Sequence, residues 1–184
     1  SRSRKAVQII GGMDDEDDKE YKGYSAETRH TLQVADHEKL CQSPDFITAV
    51  VAHIIATTQE GAILVFLNGF QEIAATIEKM KASKDILPVR DMLIFPLHSS
   101  MAVADQTEVF EPCPKGKRKV VVATNIAETS ITIEDVVYVV DSGRLKETGY
   151  DAKTGLPSLN DVWESRANAK QRKGRAGRVR EGIC

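Results

Sequence analysis

The chain of 184 residues is of single-domain length, and its hydrophobic fraction of 41% is enough for one globular core. No run approaches the ~18–20 consecutive apolar residues of a membrane-spanning helix, and no secretory signal opens the sequence. The net charge of −2 conceals an asymmetry: an acidic block (Asp14, Asp15, Glu16, Asp17, Asp18, Glu20) lies near the start, and seven bases with no acid lie between Arg166 and Arg180.

Cys41, Cys113 and Cys184 are odd in number and widely spaced, matching neither a disulfide framework nor a metal-ligand pattern. They predict ordinary thiols in a reducing intracellular compartment, nucleus or cytoplasm. Residues 1–42 lack a sustained apolar period and are expected to form an inbound linker carrying the acidic block, with the domain proper at 43–184. Ser43-Pro44-Asp45 reads as a helix start, because serine caps exposed amides, proline suits the first helical position and aspartate favours the positive end of the dipole. Phe46, Val50 and Ile54, with Ile47, Val51 and Ile55, predict the apolar face of that helix, which Glu60-Gly61 follows.

Residues 62–67 form a continuous branched apolar run, as in a strand buried on both faces. Asn68-Gly69 turns the chain into a helix over about 71–82, with Ile73, Ile77 and Met80 on one side. Further strands are expected at 92–97, 119–123 and 136–140, and a helix at about 101–110. Strands alternating with helices predict an α/β fold, a parallel sheet with helices on both faces. Ser142-Gly143, Thr148-Gly149 and Thr154-Gly155-Leu156-Pro157 are turn signals that predict a β-hairpin excursion before a basic helix near 166–171.

The strongest chemical signal is Gln171-Arg172-Lys173-Gly174-Arg175-Ala176-Gly177-Arg178. Glycines permit close backbone approach, arginines three apart can converge on one anion, and the planar guanidinium matches phosphate oxygens. A polyphosphate clamp with a glutamine to hold water is one reading. A solvated basic helix end on a nucleic-acid backbone is the other; it explains the charge but not the glycines.

Gln171–Arg178 resembles motif VI of the superfamily 2 helicases in the form typical of the DEAH-box RNA helicases. Thr124-Asn125-Ile126-Ala127-Glu128-Thr129-Ser130-Ile131-Thr132-Ile133 resembles that family's motif V. Leu64-Val65-Phe66-Leu67-Asn68-Gly69 resembles motif IV, and Pro96-Leu97-His98-Ser99-Ser100 the adjoining RNA-contact segment. Four motifs in family order cover the chain from Pro44 onward and imply a second RecA-like domain. Within the family, the subgroup of RNA helicase A and the G-quadruplex-resolving helicases is the most similar, from Ala167-Asn168-Ala169-Lys170 and Leu97-His98-Ser99.

The resemblance implies that Gln171 orients the attacking water and that Arg175 and Arg178 reach the γ-phosphate, Arg178 as the arginine finger. It implies that Ser130 senses nucleotide state, that Thr132 and Glu134 contact the ribose, and that Phe110 stacks on adenine. Glu134 stands where the family usually has aspartate, so its exact hydrogen bond is open. For Phe110, a core position is the alternative. Ser99, Ser100, Thr124 and Asn125 would hold RNA phosphates without reading bases; Ser99 and Ser100 as helix caps are the alternative. The implied ligands are ATP with Mg²⁺ and single-stranded or structured RNA, G-quadruplex DNA or RNA included, with movement from the three-prime toward the five-prime end. No membrane partner is expected.

A complete motor also needs a P-loop, GxxxxGK[ST], and an acidic strand end for Mg²⁺. Neither occurs in the chain: Gly116-Lys117 lacks the spacing, and there is no Asp-Glu-Ala-His string. The resemblance puts both in a first RecA-like domain ahead of residue 1, and auxiliary RNA-binding domains beyond residue 184. The isolated chain is therefore expected not to hydrolyse ATP. A degenerate helicase domain serving as a non-catalytic RNA- or protein-binding module is the rival expectation. A DNA helicase and a stand-alone nucleotide binder are two more.

Overall fold

The computed structural model describes residues 23, 25–27, 29–30, 36–84, 86, 91–101, 107–129, 132–150, 155–178 and 181–184. The acidic block lies outside them. Contacts divide the chain into two units, Ser1–Asp36 and His37–Cys184. Of the first, residues 26, 27, 29 and 30 are helical, and the Arg29 amide donates to the Ser25 carbonyl at 2.9 Å. The second unit holds the sheet and all four motifs.

It opens with helix α1 (His37–Gln42) and helix α2 (Pro44–Thr57). Ser43 caps α2 as its sequence predicts: Ser43 Oγ accepts from the Phe46 amide at 3.4 Å, and proline occupies the first turn. The buried stripe of α2 is Ile47, Thr48, Val51 and Ala52, with Ile54 and Ile55 partly buried beside it. Phe46 departs from the expected apolar face and is 42% exposed. It sits one helical position, about 100°, away from Ile47, just off the stripe.

Strand β1 (Ala62–Phe66) is buried throughout, and helix α3 (Phe70–Ala82) follows after the Asn68-Gly69 turn. Ile73 and Met80 of α3 are buried in the core, and Ile77 packs beside them. Strand β2 (Met92–Leu97), a 3-10 turn (Thr107–Phe110), strand β3 (Arg118–Ala123), the short helix α4 (Ile126–Thr129) and strand β4 (Val136–Asp141) complete the main layer. Of the helix expected at 101–110, residues 102–106 lie outside the described set and 107–110 form the 3-10 turn.

The four strands form a parallel sheet in the order β2-β3-β1-β4. Val65 pairs with Val122 and Val140, and Ile94 with Val120. Because side chains alternate along a strand, the sheet has two apolar faces. Ile63, Val65, Leu67, Val120 and Val122 meet Ile47, Val51, Ile73 and Met80 of α2 and α3. Leu64, Phe66, Val121, Ala123 and Val139 meet Val109, Ala127, Ile133 and, less buried, Ala176. The second face is thus covered largely by short segments, and these are the segments that carry the motifs.

At the end of β4 the chain turns out into an antiparallel hairpin, β5 (Arg144–Tyr150) with β6 (Pro157–Trp163), before helix α5 (Arg166–Lys173). Gly143 has φ +69° there, and its amide donates to Asp141 Oδ1 at 2.9 Å. Residues 181–184 return to the sheet: Ile183 bridges Tyr138 in parallel, donating to the Val137 carbonyl and accepting from the Val139 amide, both at 2.9 Å. A Cβ on Gly182 would come within 2.8 Å of the Ala176 carbonyl carbon, so only glycine lets this return pass under the Gly177 turn.

Candidate nucleotide and nucleic-acid site

The centre of the site is a side chain that sequence reasoning passed over. Arg172, the second residue of the motif VI run, is fully buried. Its Nε donates to Glu128 Oε1 at 2.8 Å, and its Nη1 to Asp141 Oδ1 at 2.7 Å and to the Arg144 carbonyl at 3.2 Å. Glu164 Oε2 lies 2.9 Å from Nη1 as an ion pair, and the guanidinium sits 4.9 Å from the Phe66 ring centroid. One guanidinium thereby ties together α4 of motif V, the end of β4, the base of the hairpin and the helix that leads to Arg175 and Arg178. Ser165 caps that helix, and Asn168 adds a 2.9 Å bond to the other oxygen of Glu128.

Three carboxylates facing one buried guanidinium carry excess negative charge, which a low-dielectric site does not tolerate. The cluster answers by holding a proton. Burial, then the charge of Asp141 and a hydrogen bond with it, push Glu164 up to about 7, against the pull of Arg172. Burial would depress Arg172, but Asp141, Glu128 and Glu164 outweigh it, and its pKa is raised. The folded state therefore binds more protons than the unfolded one between pH 4.5 and about 7. Stability from this group is present in full below pH 4.5 and is lost as pH rises through 7. We expect Glu164→Gln to stabilise the 184-residue chain at pH 8 by about 1–3 kcal/mol, and hardly at pH 4.5. Thermal unfolding of both forms at the two pH values checks this, and an equal difference at both would refute the shared proton.

Four of the residues expected around a nucleotide, Phe110, Thr132, Glu134 and Arg178, lie toward the amino ends of the strands, whereas Gln171 adjoins Arg172, whose partners Asp141 and Arg144 are at the carboxyl end of β4. Arg178 Nη1 donates to Thr132 Oγ1 at 2.8 Å, with both side chains exposed. Glu134 is exposed and lines a cleft with Asp135, Pro112 and Lys117. A second buried cation organises this end. Lys119, only 1% exposed, pairs with Asp135 Oδ1 at 2.7 Å and donates to the carbonyls of Val109 (3.1 Å) and Glu111 (2.9 Å). The turn that carries Phe110 is thereby fastened beside the Glu134-Asp135 turn. Phe110 is 42% exposed while its neighbour Val109 is fully buried, which sets aside the core alternative. Arg175 is half-buried, its pKa lowered by burial first and then by the nearby charge of Arg178. Gln171 is exposed on α5. Ser130 lies outside the described residues.

The residues expected on a nucleic-acid strand lie at the opposite, carboxyl edge of the sheet. Thr124 and Asn125 leave β3 directly, and the Thr124 amide donates to the Leu97 carbonyl at 3.0 Å, so the ends of β2 and β3 are joined. Ser99 and Ser100 are exposed in the turn after β2. The hairpin rises from the same edge. Its base is held by Arg144 Nε to Asp161 Oδ1 (3.0 Å), by buried Asn68 to Asp161 Oδ2 (2.6 Å), and by Lys146 against Glu72 (3.4 Å). Motif V, Thr124 to Ile133, thus has Thr124 and Asn125 at the carboxyl edge and Thr132 toward the amino ends. Among the described residues no group of three or more His, Cys, Asp or Glu is arranged to hold a metal ion.

A parallel four-stranded α/β layer with a hairpin at its carboxyl edge, and two arginines just beyond a capped helix, is a RecA-like domain of the helicase C-terminal type. Residues 47–180 match the helicase conserved C-terminal domain, and the chain belongs to that family, in its DExH/DEAH-type form. It is 48% identical over 161 residues to the ATP-dependent DNA/RNA helicase DHX36 of Mus musculus, covering 88% of this chain and 16% of that protein. Over 164 residues it is 46% identical to the DExH-box ATP-dependent RNA helicase DExH1 of Arabidopsis thaliana, 89% of this chain and 16% of that one. The E. coli DExH-box NTPase HrpB superposes with a TM-score of 0.69 at 38% identity, over 76% of this chain and 17% of that one. The chain thus spans about a sixth of the length of these relatives.

Proposed function

We propose that this domain is the second RecA-like half of an ATP-dependent RNA helicase, supplying the arginine finger, the water-positioning glutamine and half of a single-strand track. The observation that carries it is the separation of two sets of groups joined by one segment. Arg178, Thr132, Glu134 and Phe110 stand at one end of the sheet and Ser99, Thr124 and Asn125 at the other, with motif V running between them.

The substrate is ATP, and Mg²⁺, held mainly by a P-loop domain that this chain does not include, would neutralise phosphate charge there. Arg175 and Arg178 would face the γ-phosphate and stabilise the charge that develops on its oxygens as Gln171 holds a water in line. Phe110 would stack on the base, and Thr132 and Glu134 would meet the ribose. Hydrolysis removes the γ-phosphate that Arg175 and Arg178 grip, the two halves part, and the phosphate contacts of Ser99, Ser100, Thr124 and Asn125 move along the strand. Small hydroxyls and amides suit a motor that must pass every base. Structured RNA, G-quadruplexes included, is the proposed load.

The test is ATP turnover by the full-length protein with and without single-stranded RNA, beside strand separation of a tailed RNA duplex. Turnover that rises with RNA and drives separation is expected. Turnover at background, or indifferent to RNA, would leave a binding module in its place. A preference for DNA in strand competition would move the substrate but not the motor.

A further inference from the structure

One aromatic pair on the carboxyl edge has no part in the functions proposed so far. Phe70, the first residue of α3, is 60% exposed, although a phenyl ring is among the side chains that most favour burial. It stands edge-on to His98, with ring centroids 4.9 Å apart and planes at 68°. His98 immediately precedes Ser99. An edge-on partner supports one rim of the phenyl ring and fixes its orientation, while the exposure of Phe70 leaves ring surface open. Behind it, Ile73, Ala74, Ile77 and Pro96 line an apolar groove. Phe70 therefore lies between the serine turn after β2 and the hairpin base, where Lys146 meets Glu72 two residues beyond it.

We propose that Phe70, braced by His98, is a stacking platform for one unpaired nucleobase of the strand whose phosphates lie on Ser99 and Thr124. It rests on the strand track proposed above and adds to it a contact with a base. The reason is chemical. Hydroxyls and backbone amides bind phosphates but leave each base with an apolar face in water. An exposed phenyl ring covers that face for any base, because every base has a π-surface. Such a platform would hold a translocating strand without reading its sequence. A protein docked on the groove is the competing occupant, and the test separates the two.

The experiment uses the full-length protein and two oligoribonucleotides of equal length, one intact and one abasic throughout, with binding read by fluorescence anisotropy. Phe70→Ala is expected to weaken the intact strand about 5- to 100-fold and the abasic strand hardly at all. Phe70→Trp should restore it. Quenching of a 2-aminopurine placed within the intact strand should be lost in Phe70→Ala and regained in Phe70→Trp. The ring is exposed, so the substitution leaves the core untouched. Equal weakening of both strands, or no weakening of the intact one, overturns the platform. In the latter case an effect of Ser99→Ala would show that the track stands without it, whereas indifference to Ser99→Ala and Thr124→Val as well would show that the track itself has failed. A Phe70→Ala protein that binds RNA normally but loses a protein partner assigns the groove to that partner and likewise overturns the proposal.

Discussion

Arg172→Met is expected to destabilise the 184-residue chain by about 3–5 kcal/mol, a large fraction of the ~5–15 kcal/mol that holds a native domain together. The magnitude follows from what the substitution leaves behind rather than from what it removes. Glu128, Asp141 and Glu164 surround the guanidinium with side chains between 5% and 15% exposed, and without it their charges face one another away from water. Partial protonation lowers the penalty, so the loss should be smaller at pH 5 than at pH 8. Adding Asp141→Asn and Glu164→Gln to Arg172→Met should recover more than half of it. Arg172→Lys keeps the charge but cannot reach Glu128 and Asp141 through one planar fork, and should fall between. Urea unfolding followed by circular dichroism measures these three variants beside the unaltered chain. A loss below about 1 kcal/mol for Arg172→Met would mean that the cluster is a solvated surface network, not a buried hub.

The contrast between Arg172 and its neighbours shows what could be read from sequence. Residue type and order were enough for the α/β fold: the apolar runs at 62–67, 92–97, 119–123 and 136–140 became strands within one or two residues of those limits. Strands buried on both faces leave no other pattern available. Gly143 and Gly155 likewise announced the hairpin, whereas Thr148-Gly149, read as a turn, lies within β5, where Gly149 pairs with Ser158. Within Gln171–Arg178, however, three arginines stand three apart and look alike on a helical projection, and nothing local tells which one turns inward. That depends on Glu128, Asp141 and Glu164, acids brought together only by the fold. Asp141 at the end of a buried apolar run and Glu128 inside a small-residue helix were the available hints, since an acid in such a place needs a buried partner.

Lys119 was hidden in the same way, read as the first residue of the strand at 119–123 when it is also the cation that fastens the Phe110 turn to Asp135. The proposed functional residues were easier to find than their supports because they share a local design. Phe110 follows buried Val109, Thr132 and Glu134 flank buried Ile133, Asn125 precedes Ile126 and Ala127, and Arg175 precedes Ala176. Each apolar residue is anchored on the second face of the sheet, and each neighbour is held in fixed register at its edge. Motif spacing records that alternation of anchor and tool. The distant partners of Arg172 and Lys119 have no such local record.

Arg178→Ala is expected to lower RNA-stimulated ATP turnover by the full-length protein about 10³–10⁵-fold while leaving the fold intact. The second half follows from exposure: the side chain is on the surface and donates a solvent-exposed hydrogen bond to the Thr132 hydroxyl, so its loss changes stability by about 0.5 kcal/mol or less. The first follows if the guanidinium meets the transferring phosphoryl group, where a fixed positive fork is worth most as charge spreads over the oxygens. The loss should fall on kcat rather than on KM for ATP, since the contact strengthens only in the transition state. Arg178→Lys should recover little, because an ammonium lacks the fork. Thr132→Val, which frees Arg178 without removing it, should cost far less. Turnover of Arg178→Ala within tenfold of the unaltered protein would remove the finger, and equal losses in Arg178→Ala and Thr132→Val would assign Arg178 to holding motif V in place instead.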